Sequence, residues 1–237
     1  MRPFTFLGIL AVFFCFAFKG NPGESPLPCF SSPRLNALMN KTPKPKEEWE
    51  AKKLSEADLA SLDVMALVIY AHHFPEQYYQ SCSRYSRAAD ESEKIHSILP
   101  RKGEGLTMSF RQWESLKKNR DSVMYIISHC FENEAGISDD YKQTIVNLAG
   151  YEAIPTLKKI LERQPQKLKD TYILTVLMLL MKNDQYAPFI ATELYKALYN
   201  EENKDFRKEM TVALTNKRRD EILALAGAYY ELKKAGK

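Results

Sequence analysis

The chain has 237 residues, 45% of them hydrophobic and 27% charged, with a formal net charge of +4. These are ordinary globular values, and the length suffices to bury a core. Two of the positive charges, Arg2 and Lys19, lie in a segment expected to be removed. The nearly neutral remainder gives no electrostatic reason to expect nucleic acid as a partner.

Met1-Arg2 is followed by an apolar run from Phe4 to Phe18, broken only by Thr5 and Gly8, and then by Lys19-Gly20-Asn21-Pro22-Gly23. A basic start, a short apolar stretch and turn-forming residues make residues 1–20 a signal peptide or N-terminal anchor. Bulky Phe14 before Cys15 disfavours lipid attachment at that cysteine. The expected location is therefore outside the cytoplasm, periplasmic or extracellular, with membrane contact only through this segment. Residues 21–50 hold half of the twelve prolines and read as a Pro-rich tether. Its Leu35–Met39 patch is the part suited to docking as a short turn.

Residues 51–237 are expected to form one helical domain, with long helices over 51–135 and paired helices over 136–237. The first helix runs from Ser55 as N-cap to Ala71 and stops at His72-His73-Phe74. Pro75 suits the first position of a second helix, on which Tyr78, Cys82, Tyr85 and Ala89 follow helical spacing, extended by Ile95, Ile98 and Leu99. A third helix is expected from Ser109 to about Glu134, with Trp113, Leu116, Val123, Ile127 and Cys130 on its inward stripe and Arg120 as the exception. Export makes Cys82–Cys130 the expected disulfide, the alternative being two buried thiols, with Cys29 left in the tether. After Gly136, helices are expected over Asp139–Ala149 (Ser138 cap, Gly150 stop), Tyr151–Arg163, Leu168–Met181, Gln185–Tyr199, Asp205–Thr215 and Arg218–Lys233. No strand is expected.

Tyr172–Met181 is apolar all the way round, so it must be surrounded. Its ten residues span about 15 Å, half of a bilayer core. Lysines before and after forbid extension, which makes it the central helix of an all-α domain. Ala153-Ile154-Pro155-Thr156-Leu157, continuing to Ile160-Leu161, resembles the A-I-P-x-L-x-x-x-L core of a HEAT-like helical repeat. Pro188-Phe189-Ile190 and Glu221-Ile222-Leu223 follow at equal spacing. The resemblance implies stacked helical pairs used for protein contacts. An irregular bundle of antiparallel pairs is the other reading of the same segments.

His72 and Glu76 are the only metal-ligand candidates by spacing, and Pro75 between them argues against a shared helical face. His72, His73 and Tyr79 form the candidate binding surface, Tyr79 being the tyrosine that falls off the core stripe. No phosphate loop, C-x-x-C pair or G-x-S-x-G motif occurs, and no cofactor is expected. The functional expectation is a non-enzymatic protein-interaction or scaffold module with a protein partner. The alternative is an all-α extracytoplasmic hydrolase of cell-wall or extracellular glycan, its two carboxylates brought together by the fold.

Overall fold

The structure, a computed structural model, describes residues 29–45, 47, 50–80, 90–100, 104–164, 170–199 and 210–236. The N-terminal segment 1–20, the start of the tether, the expected helical positions Cys82, Tyr85 and Ala89, and residues 205–209 lie outside these residues; the described remainder of the helix expected over Asp205–Thr215 holds a strand, Thr211–Ala213, instead. Eleven helices and two small antiparallel ribbons are present among the described residues, so the chain is mostly α-helical.

The chain is built around helix α8 (Tyr172–Asn183). Nine of its twelve residues are buried, among them Leu177, Val176 and Met178 at 0% exposure. At about 1.5–3 kcal/mol per large apolar side chain removed from water, this one helix is the largest local source of burial. Helices α6 (Asp139–Asn147), α7 (Ile154–Arg163), α9 (Ala187–Ile190) and α11 (Asn216–Ala235) pack around it. The most extensive contacts are with α11 and α6, so the helix is covered by chain segments on both sides of it in sequence. No described helix is long and apolar enough to cross a membrane.

Several expected helices are interrupted where a short polar side chain captures the backbone. The segment from Ser55 divides into α2 (Glu56–Ala60) and α3 (Val64–His73). Asp63 accepts from Ala66 N–H at 2.8 Å and starts the second piece as an N-cap. The helix expected from Ser109 begins there with a full capping box to Gln112. It breaks at Asn119 into α4 (Phe110–Lys118) and α5 (Arg120–Phe131), Asn119 donating its amide back to Ser115 O at 2.9 Å. Thr192 separates α9 from α10 (Glu193–Tyr199) by accepting from Tyr195 N–H at 3.0 Å.

The tether is corrected in part. Residues Pro33–Lys41 form α1, capped by Ser32, with Leu35 at 0% and Met39 at 4% exposure. It lies on α3, and Lys52 donates to Met39 O. The expectation of no strand is also corrected. Strand β1 (Gln77–Gln80) pairs with β3 (Glu104–Thr107), and β2 (Lys94–His96) with β4 (Thr211–Ala213). Pro75 therefore introduces a strand, and Ile95 belongs to β2. All four β1 residues are exposed, so no alternation of apolar and polar positions marked it. Pairing of β2 with β4 also ties the 51–135 part to the 136–237 part.

At the end of α6 the left-handed residue is Ala149 (φ 48°), not Gly150. Gly150 N–H closes the turn on Ile145 O at 2.8 Å and Ala149 N–H on Val146 O at 3.1 Å, a Schellman arrangement. Gly150 is required for space: a Cβ there would stand 2.0 Å from Met124 Sδ and 3.3 Å from Ile145 O. Met124 is fully buried and has little room to yield. Gly150→Ala is expected to cost about 1–3 kcal/mol by overpacking, read as a lower thermal midpoint with unchanged helicity. A stability equal to wild type would show that α5 and α6 do not approach this closely.

Arg120, the exception on the α5 stripe, has a carboxylate partner. Its guanidinium pairs with Glu152 through Nη1 and Nη2, both at 2.8 Å, and caps α6 by donating to Leu148 O at 3.0 Å and Ala149 O at 2.7 Å.

Candidate functional site

Chain direction reverses at Phe74-Pro75-Glu76, between α3 and β1, and the most elaborate polar cluster of the described residues is built there. Gln112, itself fully buried, holds the corner. Its amide donates to Phe74 O at 3.0 Å, and its oxygen accepts from Glu76 N–H at 3.2 Å and Ser109 N–H at 2.9 Å. The capping box that starts α4 thus also fixes the backbone of Glu76.

The Glu76 carboxylate is 3% exposed and accepts four hydrogen bonds. Tyr70 donates at 2.5 Å, Ser109 Oγ at 2.6 Å, and Arg111 through Nε at 2.7 Å and Nη2 at 2.5 Å. Arg111 also reaches Glu56 at 2.9 Å and Leu54 O at 2.7 Å, so one guanidinium joins three stretches of chain. Burial acts to raise the Glu76 pKa, but the hydrogen bonds from Arg111, Ser109 and Tyr70 outweigh it and hold the carboxyl below the ordinary range. The same cluster raises the Tyr70 phenol, mainly through burial and then through its bond to Glu76. It raises the Arg111 guanidinium through its bonds to Glu76.

This cluster forms one wall of an open groove of about 680 Å³ lined by Glu50, Ala51, Lys53, Glu76, Gln77, Tyr78 and Ser109. Beside it runs the β1–β3 ribbon, whose Tyr78 and Tyr79 are 40% and 45% exposed. Tyr79 is on the surface and so is Tyr78, which the expected helical stripe turns inward; the segment is a strand, and that stripe does not form. His73 is exposed at the end of α3.

The structure does not bring His72 and Glu76 together as ligands. His72 Nδ1 lies 2.8 Å from Val68 O and Nε2 3.0 Å from Thr144 Oγ1, while its ring stacks on Tyr141 at 3.7 Å. One nitrogen bonds back to its own helix α3 and the other crosses to α6, while Glu76 serves Arg111. No group of three or more potential metal ligands occurs among the described residues.

Cys130 is bonded to Cys29, with Cα atoms 5.5 Å apart, which corrects the Cys82–Cys130 assignment. The inward position of Cys130 was legible in its helical stripe, and the bond closes onto the docked lead-in to α1.

A second polar depression, of about 460 Å³, lies at the start of α8. Lys142, 2% exposed, pairs with Asp139 at 2.9 Å and Asp170 at 2.5 Å. Tyr172 donates to Glu91 at 2.7 Å and stacks on His96 at 4.6 Å. Hydrolysis by a carboxylate pair needs one acid with a raised pKa. Among the described residues, the carboxylates whose pKa moves, Glu76, Asp90 and Glu132, all move down, and the Lys142 ammonium is engaged by two aspartates. The geometry of both clusters is that of charge-satisfied joints between elements.

Arg111 and Gln112 were not singled out by sequence, and Tyr70, which the sequence offers as a groove-lining tyrosine, is fully buried on Glu76. Gln112 stands three residues after the Ser109 cap, a capping-box spacing that places it on α4 but does not reveal its bonds to Phe74 and Glu76, and Arg111 meets Glu76 only because α4 folds back on α3. No family model, curated protein or solved structure matches this chain.

Proposed function

We propose that the chain is a non-enzymatic interaction module acting in an oxidising compartment outside the cytoplasm, and that an extended segment of a partner protein docks along β1 and the groove beside it. The carrying observation is the ribbon itself: Gln77–Gln80 is uncharged, exposed at all four positions, and presents two tyrosines next to a groove. Edge strands are ordinarily blunted by charge or proline, and β1 carries neither. Main-chain pairing to such a strand supplies affinity, while flanking side chains supply selectivity. Tyrosine suits the second role, offering a broad apolar ring and a polar tip with few rotatable bonds. The rigid Glu76–Arg111 corner beneath fixes the direction in which β1 leaves the body. The Cys29–Cys130 bond supports the compartment, because such bonds persist where thiols are not kept reduced.

Display of random extended peptides on the folded protein tests this reading. Selected peptides are expected to protect the amides of Gln77–Gln80 from hydrogen exchange and to bind Tyr79→Lys at least about tenfold more weakly, the loss of about 1.4 kcal/mol. Failure to enrich any peptide, or enrichment of peptides that leave those amides unprotected, would remove the reading.

A further inference from the structure

We propose that the Cys29–Cys130 bond is a redox latch that holds α1 on the body, and that its reduction releases this segment while the helices around α8 stay folded. The bond joins the described N-terminal end to the last turn of α5. Next to it Phe30, in a left-handed backbone conformation (φ 64°), lays its ring edge-on against Phe131 at 5.3 Å and Tyr141 at 5.9 Å. Beyond Phe30, α1 has nine residues and touches the body through buried Leu35 and Met39, with Leu38 partly buried beside them. A nine-residue helix is too short to persist alone in water. Two buried side chains offset little of the entropy lost in ordering the segment. Without the covalent bond, α1 is joined to the body by those side chains, by the Lys52 bond to Met39 O and by the chain that leads on to α2.

The core is held differently. Helices α6, α7, α8 and α11 bury their apolar faces on one another, whereas the main contact of α1 is with α3. Loss of α1 uncovers Phe131, one edge of Tyr141 and the α3 face under Leu35, an aromatic and aliphatic surface distinct from β1. The other face of Tyr141 stays stacked on His72.

Chemistry of release follows from exposure. Cys29 is half-buried and Cys130 is 7% exposed, so a dithiol reductant attacks Cys29 Sγ first. That step forms a mixed disulfide with Cys29 and expels Cys130 as a thiolate, which takes up a proton. The reductant's second thiolate then closes its own disulfide and expels Cys29. The protein gains two electrons and two protons, and the dithiol becomes a cyclic disulfide.

Hydrogen exchange of the full chain, oxidised and after treatment with dithiothreitol, tests the latch. Reduction is expected to remove protection across Pro33–Lys41 and leave Tyr172–Asn183 as protected as before, with the strap regaining protection on re-oxidation. Cys29→Ser should reproduce the reduced pattern without reductant. Continued protection of Pro33–Lys41 in the reduced protein and in Cys29→Ser would show that α1 holds by packing alone and overturn the proposal. Loss of protection throughout Tyr172–Asn183 would overturn it equally, by making the bond a staple of the whole fold.

Discussion

Leu177→Lys is expected to leave the chain without a cooperative fold, seen as loss of the helical circular-dichroism signal and of a thermal transition. Leu177 is fully buried near the middle of α8, where every residue from Tyr172 to Met181 except the partly buried Leu179 is buried. A lysine there has no route to water, because α6 and α11 cover the helix on its two sides. Placing an unpaired ammonium in such a position belongs to the class of changes that exceed about 4–5 kcal/mol, close to the whole stability of many domains. Leu177→Ala separates charge from volume. It should cost about 2–5 kcal/mol and lower the midpoint while preserving the fold. A soluble Leu177→Lys protein with full helicity would show that α8 is not the enclosed centre of the structure.

Arg111→Ala is expected to cost about 3–5 kcal/mol at neutral pH, because it strands a buried carboxylate. Glu76 would keep Tyr70 and Ser109 but lose both guanidinium bonds, and the Leu54 O and Glu56 contacts would go as well. Arg111→Lys should recover only part of the loss, since an ammonium cannot reproduce the Nε and Nη2 fork. The pH dependence distinguishes this from simple loss of packing. In the native chain the Glu76 pKa is depressed, so its stabilising contribution is present above the unfolded-state value of about 4.3 and is lost as pH falls through the folded value. Without Arg111 the burial effect dominates and the folded value rises, so acid relieves the variant. The stability gap between the two proteins, measured by chemical denaturation at pH 7 and pH 4, should therefore narrow in acid. A gap independent of pH would show that the carboxylate is not charged and clamped as described.

What the sequence made legible was local or periodic. The enclosed α8 announced itself by apolar residues on every face, and Ser55, Ser109 and Ser138 mark helix starts in the structure. Breaks at Asp63, Asn119 and Thr192 escaped because each interrupts an apolar stripe that runs on in register on both sides. A cap decides such a boundary by one hydrogen bond, which hydrophobic spacing does not record. The strands escaped because three- and four-residue ribbons carry too few positions for a period of two to stand out. The Glu76 cluster depends on residues 33 to 36 positions apart, Ser109, Arg111 and Gln112, that meet only through the packing of α4 on α3. Pairing of Cys130 likewise depended on the docking of a segment whose prolines pointed to an extended tether. Its Ser32-Pro33 start, a serine cap followed by proline at the first helical position, was the available signal for α1.

The pairing of β2 with β4 imposes an order of events on synthesis. A chain that emerges N-terminus first presents Lys94–His96 long before Thr211–Ala213 exists, an interval of order ten seconds at about 5–20 residues per second. During that interval the backbone of β2 lacks its mate, and Thr175 and Tyr172, which bond His96 O and Glu91, have also yet to appear. The first half of the molecule therefore completes its packing only when the last helix is nearly made. Truncation before β4 would yield a nascent chain with an unsealed seam rather than a smaller folded protein.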